Sequence, residues 1–452
     1  MSLTLAACLT QLSENQKTSV EITEHYLQQI AEINPRLNAY LHVCSDGALQ
    51  AAHAVDKLRA QYPQALGRLA GAPISVKDLF DTSFAPTSYG NARFRQHRPS
   101  MSAIAIQRLQ DAQAIILGKT HLHEFAYGVT NENPHFGPAR NPVDEARMTG
   151  GSSGGSASSV RADLAVASVG TDTGGSVRIP AAFTGVVGYK PTHGYIPLEG
   201  AFPLAPTLDH IGPITHTVED AAILTDVLAQ TETAHSLVHQ LRSPRAQRLR
   251  VGVPQSFVDR YATDAIGQAF EACIALLCKQ GVIEVHTFDF PMPTDEIGVH
   301  QANIMGAEAF AHHAEDLVSH AQTYGEDVFE RLMAAADITA KDYIRALDFR
   351  RYLQSFCTDI LTDNDVILLP TTPMTAPIIG TVTIQVHGNE VPLRQLMTRF
   401  TNPWNLTGFP AITLPAGTIA GLPFGLQMVR RWGHDGRLLR DAAYIERHIC
   451  HT

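Results

Sequence analysis

The sequence predicts an α/β fold in which a central mixed β-sheet is covered on both faces by α-helices. In the first half of the chain, short apolar segments typical of buried strands alternate with helical segments. This alternation implies a layered fold with helices on both sides of the sheet. Two glycine-serine runs, at 150–156 and 170–180, flank one of these strands. With no linker-like break, we expect one domain over residues 1–452 with a mostly helical insertion at about 218–365.

Each predicted element depends on its own local pattern. The first long helix begins at a capping box, because Thr18 and Glu21 stand three positions apart, and its apolar residues recur at helical spacing as far as Pro35. The other predicted helices are 46–60, 102–112, 153–162 and 438–448. The predicted strands are 71–78, 114–119, 164–169, 250–253, 282–285, 366–370, 411–415 and 424–429.

Composition limits the class of protein. The 452 residues are 44% hydrophobic and 17% charged, with a formal net charge of −10. No basic excess is available to neutralise many phosphates, so we expect no nucleic-acid partner. No segment offers about 18 consecutive apolar residues, which predicts no membrane span. The start lacks a basic region typical of a signal peptide, and the six cysteines form no CxxC pair, so we expect a cytoplasmic protein with free thiols.

The second glycine-serine run places Ser176 where a nucleophile can be activated. An apolar strand leads into a loop that ends in Gly174, Gly175 and Ser176, and a helical segment begins directly after it. Backbone N–H groups at such a start lack helical partners and carry partial positive charge, so they can stabilise an oxyanion. The simpler interpretation of this segment alone is a glycine turn with a capping serine.

A serine nucleophile needs a base, and none of the 21 histidines lies in a recognisable triad context. The histidine spacings also supply no metal site, so we expect no metal and no cofactor. Lys77 ends an apolar strand instead of lying on a polar face, and burial would favour its neutral form. A lone lysine at a strand end is more often a solvated rim residue. Only its combination with the two glycine-serine runs indicates that Lys77 has a catalytic role.

Two other patterns in the sequence resemble known functional motifs but are incomplete. Ser153 occupies the nucleophile position of a G-x-S-x-G pattern, but the strand that should precede it is missing. Lys119 and Thr120 resemble the end of a phosphate-binding loop, but Gln113 stands where that loop requires glycine. The α/β-hydrolase and nucleotide-binding interpretations are therefore disfavoured.

Three segments together resemble the amidase signature family. They are residues 73–78 with Lys77, residues 150–157 with Ser152, and residues 170–180 with Ser176. The spacings of 75 and 24 positions between the three residues agree with that family. Similar stretches at 123–128, 185–192, 365–373 and 421–427 extend the resemblance over nearly the whole chain. It implies the amidase signature fold, with a signature core at about 66–215.

The resemblance implies a Ser–cisSer–Lys triad. Ser176 is the nucleophile that forms the acyl-enzyme, Ser152 follows a cis peptide bond and relays the proton, and Lys77 is the base and later the acid. Asp172 supports the loop, and Arg178 braces the core. The residues whose backbone N–H groups form the oxyanion hole are Thr173, Gly174, Gly175 and Ser176.

The resemblance also implies a small carboxylic amide as substrate, hydrolysed with release of ammonia or an amine. We expect Tyr127, Ser153 and Trp404 to be substrate-binding residues, with Ser153 also a support of the loop. Phe400, Trp404 and Phe409 suggest an apolar cavity wall, although buried core aromatics fit equally well. We expect no membrane partner and leave a homodimer open.

Three alternatives to a free amidase stay open. The first is the glutaminase (A) subunit of a tRNA-dependent amidotransferase. The second is a hydrolase of urea-like compounds such as allophanate or biuret. The third is a scaffold or complex subunit that has lost activity, although Lys77, Ser152 and Ser176 are all intact.

Overall fold

The computed structural model describes residues 3–232, 235–241, 243 and 248–449, and one eleven-stranded sheet forms its framework. The strands are β1 (Tyr40–Val43), β2 (Pro73–Lys77), β3 (Ile115–Thr120), β4 (Glu132–Asn133), β5 (Gly137–Pro138), β6 (Arg140–Asn141), β7 (Asp144–Met148), β8 (Ala167–Thr171), β9 (Val187–Lys190), β10 (Ile211–Thr215), β11 (Leu249–Val253), β12 (Ile283–Thr287), β13 (Val366–Pro370), β14 (Thr383–Val386), β15 (Asn389–Pro392), β16 (Ala411–Ile419) and β17 (Leu422–Val429).

Helices pack around this sheet. They are α1 (Leu5–Ser13), α2 (Ser19–Leu37), α3 (Ser45–Gln61), α4 (Ile104–Asp111), α5 (Gly154–Arg161), α6 (Arg178–Thr184), α7 (Val218–Ala229), α8 (Leu237–Leu241), α9 (Gln255–Tyr261), α10 (Asp264–Lys279), α11 (Thr294–His320), α12 (Glu326–Ala335), α13 (Ala340–Asp363), α14 (Leu393–Met397), α15 (Asn402–Leu406) and α16 (Asp435–Ile449). None of the helices in the described part of the chain is long and apolar enough to cross a membrane.

The sheet is mixed, as the sequence predicts. Its strand order is β1-β3-β2-β8-β10-β9-β16-β17-β13-β11-β12. Strand β2 runs parallel to β3 and β8, and β11 runs parallel to β12 and β13, whereas the other neighbours are antiparallel. Because β2 and β8 are parallel neighbours, their C-terminal ends meet at one edge of the sheet. This places Lys77, at the end of β2, beside Thr171 at the end of β8.

Most predicted elements are present, with bounds shifted by a few residues. Helix α2 continues past Pro35 and closes at Asn38, which adopts the left-handed conformation that asparagine tolerates. The strand predicted at 164–169 begins later, at Ala167. Residues 164–166 are buried but precede the strand. An apolar run alone does not show where within it a strand begins.

The sequence did not predict β1, β9 or β10. The last of these contains Gly212 and Pro213, which argue against a strand when the sequence is read alone. The segment at 218–365 is mostly helical, and it supplies β11 and β12, the strands predicted at 250–253 and 282–285, to the end of the main sheet.

Five of the six cysteines are free thiols in the structure. The sixth, Cys450, lies outside the described residues.

Candidate active site

Lys77 is fully buried at the end of β2. Its Nζ atom donates hydrogen bonds to Ser152 Oγ and to Thr171 Oγ1, each at 2.7 Å. Burial lowers the pKa of Lys77 to about 7, although the charges of Asp209 and Asp172 act in the opposite direction. A lysine with this pKa is largely neutral above neutral pH, so it can accept a proton from a hydroxyl.

Ser152 joins Lys77 to the two glycine-serine runs. The peptide bond between Gly151 and Ser152 is cis, which is the conformation that the resemblance implies. The next residue, Ser153, donates its backbone N–H to the carbonyl of Ser176 at 3.2 Å. This bond brings the first run against the second, so that Lys77, Ser152 and Ser176 lie in one region.

Asp172 fixes the loop that carries Ser176. Its carboxylate accepts the N–H groups of Gly175 at 2.8 Å and Val177 at 3.1 Å. It also forms a two-point ion pair with Arg178, through Nε at 3.0 Å and Nη2 at 2.9 Å, and both side chains are fully buried. Burial alone would raise the pKa of Asp172, but Arg178 outweighs it and holds the pKa well below its usual range. The carboxylate therefore stays charged.

One member of the predicted oxyanion hole is wrong. The N–H group of Gly175 donates to Asp172, so it is not free for a substrate oxygen. Gly175 is needed for its conformation instead, because its φ is 126° and a Cβ there would lie 2.4 Å from Thr401 Oγ1. No residue in the described part of the chain accepts a hydrogen bond from the N–H groups of Thr173, Gly174 or Ser176. These three stay the candidate donors.

Side chains from the C-terminal part of the chain hold this loop. Gln301 donates through Nε2 to the carbonyl of Thr173 at 2.8 Å, and the hydroxyl of Thr401 donates to the carbonyl of Gly174 at 2.6 Å. Asn405 donates to both the carboxylate and the carbonyl of Asp172. The loop is therefore fixed along its backbone by groups far away in sequence.

A cavity of about 690 Å³ lies next to Ser176. The loop that carries Ser176, residues 126–129 with Tyr127, and Leu204 form part of its lining, and α11, α12 and α14 with the residues after them form the rest. Four charged side chains line it: Asp295, Arg331, Arg394 and Arg399. The described residues form no group of three or more His, Cys, Asp or Glu side chains that could hold a metal ion.

Comparison with known proteins identifies the family. The Amidase family profile matches residues 21–439, which is most of the chain. The chain belongs to the amidase signature family. A curated relative, the A subunit of glutamyl-tRNA(Gln) amidotransferase from Clostridium kluyveri (strain NBRC 12016), is 32% identical over 97% of this chain and 94% of its own length.

Two solved structures agree with this membership. A crystal structure of an amidase matches 99% of this chain and 100% of its own, at a TM-score of 0.92 and 34% identity. The A subunit of glutamyl-tRNA(Gln) amidotransferase from Thermotoga maritima matches 98% of this chain and 94% of its own, at a TM-score of 0.80 and 30% identity. As an amidase signature protein, the chain is an enzyme that acts on carbon–nitrogen bonds.

Of the three predicted substrate-binding residues of this amidase signature chain, Tyr127 lines the cavity, whereas Ser153 and Trp404 do not. Tyr127 lines the cavity, and its ring lies under the guanidinium group of Arg331, 4.5 Å from ring centroid to Cζ. The hydroxyl of Ser153 is buried and donates to the carbonyl of Thr171 at 3.1 Å, so Ser153 supports the loop and does not contact the cavity.

Trp404 requires the same correction. It is fully buried in the largest core cluster with Phe400 and Phe409, and none of the three lines the cavity. Of the two interpretations open for these aromatic residues, the core one is right. The cavity wall carries arginines instead.

Proposed function

We propose that the protein hydrolyses a small carboxylic amide through an acyl-enzyme on Ser176, with release of ammonia or an amine. The observation that most supports this is the 2.7 Å hydrogen bond between Ser152 and a buried Lys77 whose pKa is lowered to about 7. No salt bridge joins Lys77 to any described residue, and its partners are hydroxyl groups, so burial favours a neutral amine that can accept a proton.

In the first half of the reaction, Ser176 Oγ attacks the amide carbonyl carbon. Its proton passes to Ser152, whose own proton moves to neutral Lys77. The N–H groups of Thr173, Gly174 and Ser176 stabilise the oxyanion. When the intermediate collapses, the C–N bond breaks, and the proton returns from Lys77 through Ser152 to the leaving nitrogen. The acyl group stays on Ser176.

In the second half, water attacks the ester carbonyl carbon and gives one proton to the same relay. The bond between the acyl carbon and Ser176 Oγ then breaks, and Ser176 regains its proton. The products are a carboxylic acid and the ammonia or amine released earlier.

Labelling with a serine-directed fluorophosphonate tests this proposal. We expect mass spectrometry to place the adduct on Ser176, and we expect Ser176→Ala to lose both the adduct and amide turnover. Ser153→Ala is the matched control, because that serine lies in the neighbouring run and should leave the site of labelling unchanged. An adduct on Ser153, or turnover that survives in Ser176→Ala, would contradict the proposal.

A second candidate is the glutaminase component of a tRNA-dependent amidotransferase. The curated relative from Clostridium kluyveri supports it. So does the position of Phe400, Trp404 and Phe409 in the core, because the cavity then lacks the apolar aromatic wall that these residues suggested. In this case the chain works with partner proteins, and glutamine hydrolysis by the purified chain alone would be weak until those partners and tRNA are added.

A further inference from the structure

The charged side chains that line the cavity are mostly basic. Arg331, Arg394 and Arg399 accompany a single carboxylate, Asp295. This balance is opposite to that of the whole chain, whose net charge is −10. A local excess of fixed positive charge in a cleft favours binding of anions.

Arg331 and Arg394 share one carboxylate beside the cavity. Asp327 Oδ2 accepts Nη2 of Arg331 at 2.7 Å and Nη2 of Arg394 at 2.6 Å, and it lies 3.0 Å from His123 Nε2. Burial alone would raise the pKa of Asp327, but His123 and the two arginines outweigh it and hold the pKa well below its usual range. Burial lowers the pKa of His123, which is therefore neutral. Two guanidinium groups thus face one carboxylate.

Both arginines keep donors for a ligand. Arg331 uses Nε and Nη2 on Asp327, and Arg394 uses Nη2, while in the described part of the chain no group accepts a hydrogen bond from Nη1 of either. Their side chains are 28% and 40% exposed, so a small molecule can reach them. Burial and the charge of Arg394 together lower the pKa of Arg331 to about 10. A second anion would relieve this repulsion.

The carboxylate that lines the cavity, Asp295, is already paired with arginines. Asp295 lies in ion pairs with Arg260 and Arg399, and it also accepts the hydroxyl of Tyr261. Each of the two carboxylates at the cavity is therefore shared between two arginines. An ammonium group on a ligand would meet excess positive charge and no carboxylate, among the described residues, that is free to pair with it.

We infer that the substrate is an amide that carries one carboxylate and no ammonium group, and that Arg331 and Arg394 bind this carboxylate. The guanidinium group suits the task, because its planar fork donates two parallel hydrogen bonds to a carboxylate. Tyr127 holds Arg331 from below through its ring face. The inference rests on the proposed amidase function and narrows its substrate class.

Three amides of equal length test the inference. Glutaramate has a terminal amide and a terminal carboxylate. In 4-nitrobutanamide, a neutral nitro group of the same shape replaces the carboxylate, and L-glutamine adds an α-ammonium group to glutaramate. We expect kcat/KM to be at least about tenfold higher for glutaramate than for either of the other two, which is the effect of one charged hydrogen-bonded pair. The assay measures ammonia released by the purified full-length chain.

Substitutions at the arginines locate the effect. Arg394→Gln and Arg331→Gln should each lower the ratio of kcat/KM for glutaramate to that for 4-nitrobutanamide by about tenfold, and Arg394→Lys should retain part of it. Arg36→Gln is the matched control. Arg36 also lies in an ion pair, with Glu145, but outside the cavity, so the ratio should not change. Arg394 is the more exposed arginine of the pair, so Arg394→Gln can still test the inference if Arg331→Gln does not fold.

The outcomes separate this inference from the function on which it rests. If Ser176 is labelled and 4-nitrobutanamide is hydrolysed as fast as glutaramate, the amidase proposal stands and the carboxylate site is wrong. A preference for glutamine would also overturn the inference and favour the amidotransferase function. If Ser176 is not labelled and none of the three amides is hydrolysed, the proposed function itself fails.

Discussion

Two regions of the molecule meet at Ser176, and each contributes a basic side chain. Above neutral pH, Lys77 of the first region is largely neutral, whereas Arg331 of the second is charged. The proposed relay region consists of β2 and the two glycine-serine runs, and the cavity wall is formed by residues of α11, α12 and α14 and by residues that follow them. Lys77 in the relay region is fully buried, and hydroxyl groups are its hydrogen-bond partners, so its pKa falls to about 7. Arg331 in the cavity wall is partly exposed and paired with Asp327, so it stays charged.

The difference in charge state fits the two tasks proposed for the site. A proton relay needs a group that changes charge near neutral pH, which burial of a lysine supplies. Recognition of an anion needs a group that does not change charge, which arginine supplies wherever it lies. Three substitutions test whether the two regions differ in this way.

Loss of Lys77 should have the largest effect. We expect Lys77→Ala to lower kcat by about 10³-fold, because proton transfer then lacks its acceptor. Lys77→Arg should not restore the rate, since arginine stays protonated. In the unsubstituted enzyme, kcat/KM should rise with pH through about 7, because Lys77 must lose its proton to act. Near-normal kcat in Lys77→Ala, or a pH profile that is flat from about pH 6 to pH 9, would end the relay model.

Asp172→Asn should lower the stability of the folded protein and should reduce kcat less than Lys77→Ala does. It leaves the buried guanidinium of Arg178 without its counter-ion, which we expect to lower the free energy of unfolding by about 3–5 kcal/mol. Urea denaturation measures this change. The exposed pair of Asp348 and Arg351 gives the control, and Asp348→Asn should leave the unfolding midpoint unchanged. Equal stability of the two variants would show that Asp172 does not hold the loop.

Gln301→Leu should have the smallest effect of the three. It removes the hydrogen bond to the carbonyl of Thr173 but touches none of the reacting atoms, so we expect kcat to fall about tenfold with KM nearly unchanged. Gln354→Leu is the matched control, because Gln354 makes the same kind of bond, to the carbonyl of Thr407, outside the cavity. If KM rises and kcat does not fall, Gln301 belongs to substrate binding instead.

That Lys77, Ser152 and Ser176 lie in one region could be predicted from the sequence, because the patterns that mark them are local. Lys77, Ser152 and Ser176 each lie in a stretch of about ten residues whose pattern is specific, and the structure brings these stretches together. The mixed sheet could be predicted for a similar reason, since eight of its eleven strands each have an apolar run. The short strands β1, β9 and β10 lack such a run and were missed.

The errors arise where a residue's role depends on distant partners. The direction of the Gly175 N–H group depends on the Asp172 carboxylate, which Arg178 and Asn405 hold in place, and Asn405 lies 233 positions away. Trp404 could be assigned to the core only once the packing of α15 was known. The arginines of the cavity wall, Arg331 and Arg394, carry no motif, because their pairing depends on how α12 and α14 pack.

The bonds from Gln301, Thr401 and Asn405 to the loop that carries Ser176 have a consequence for the newly made protein. During synthesis, a chain that has emerged only as far as residue 215 already contains Lys77, Ser152 and Ser176. It lacks the three side chains that hold the carbonyls of Asp172, Thr173 and Gly174. We expect such a nascent chain to be inactive until about residue 405 leaves the ribosome, so that hydrolysis begins only when the selective wall of the cavity is also present.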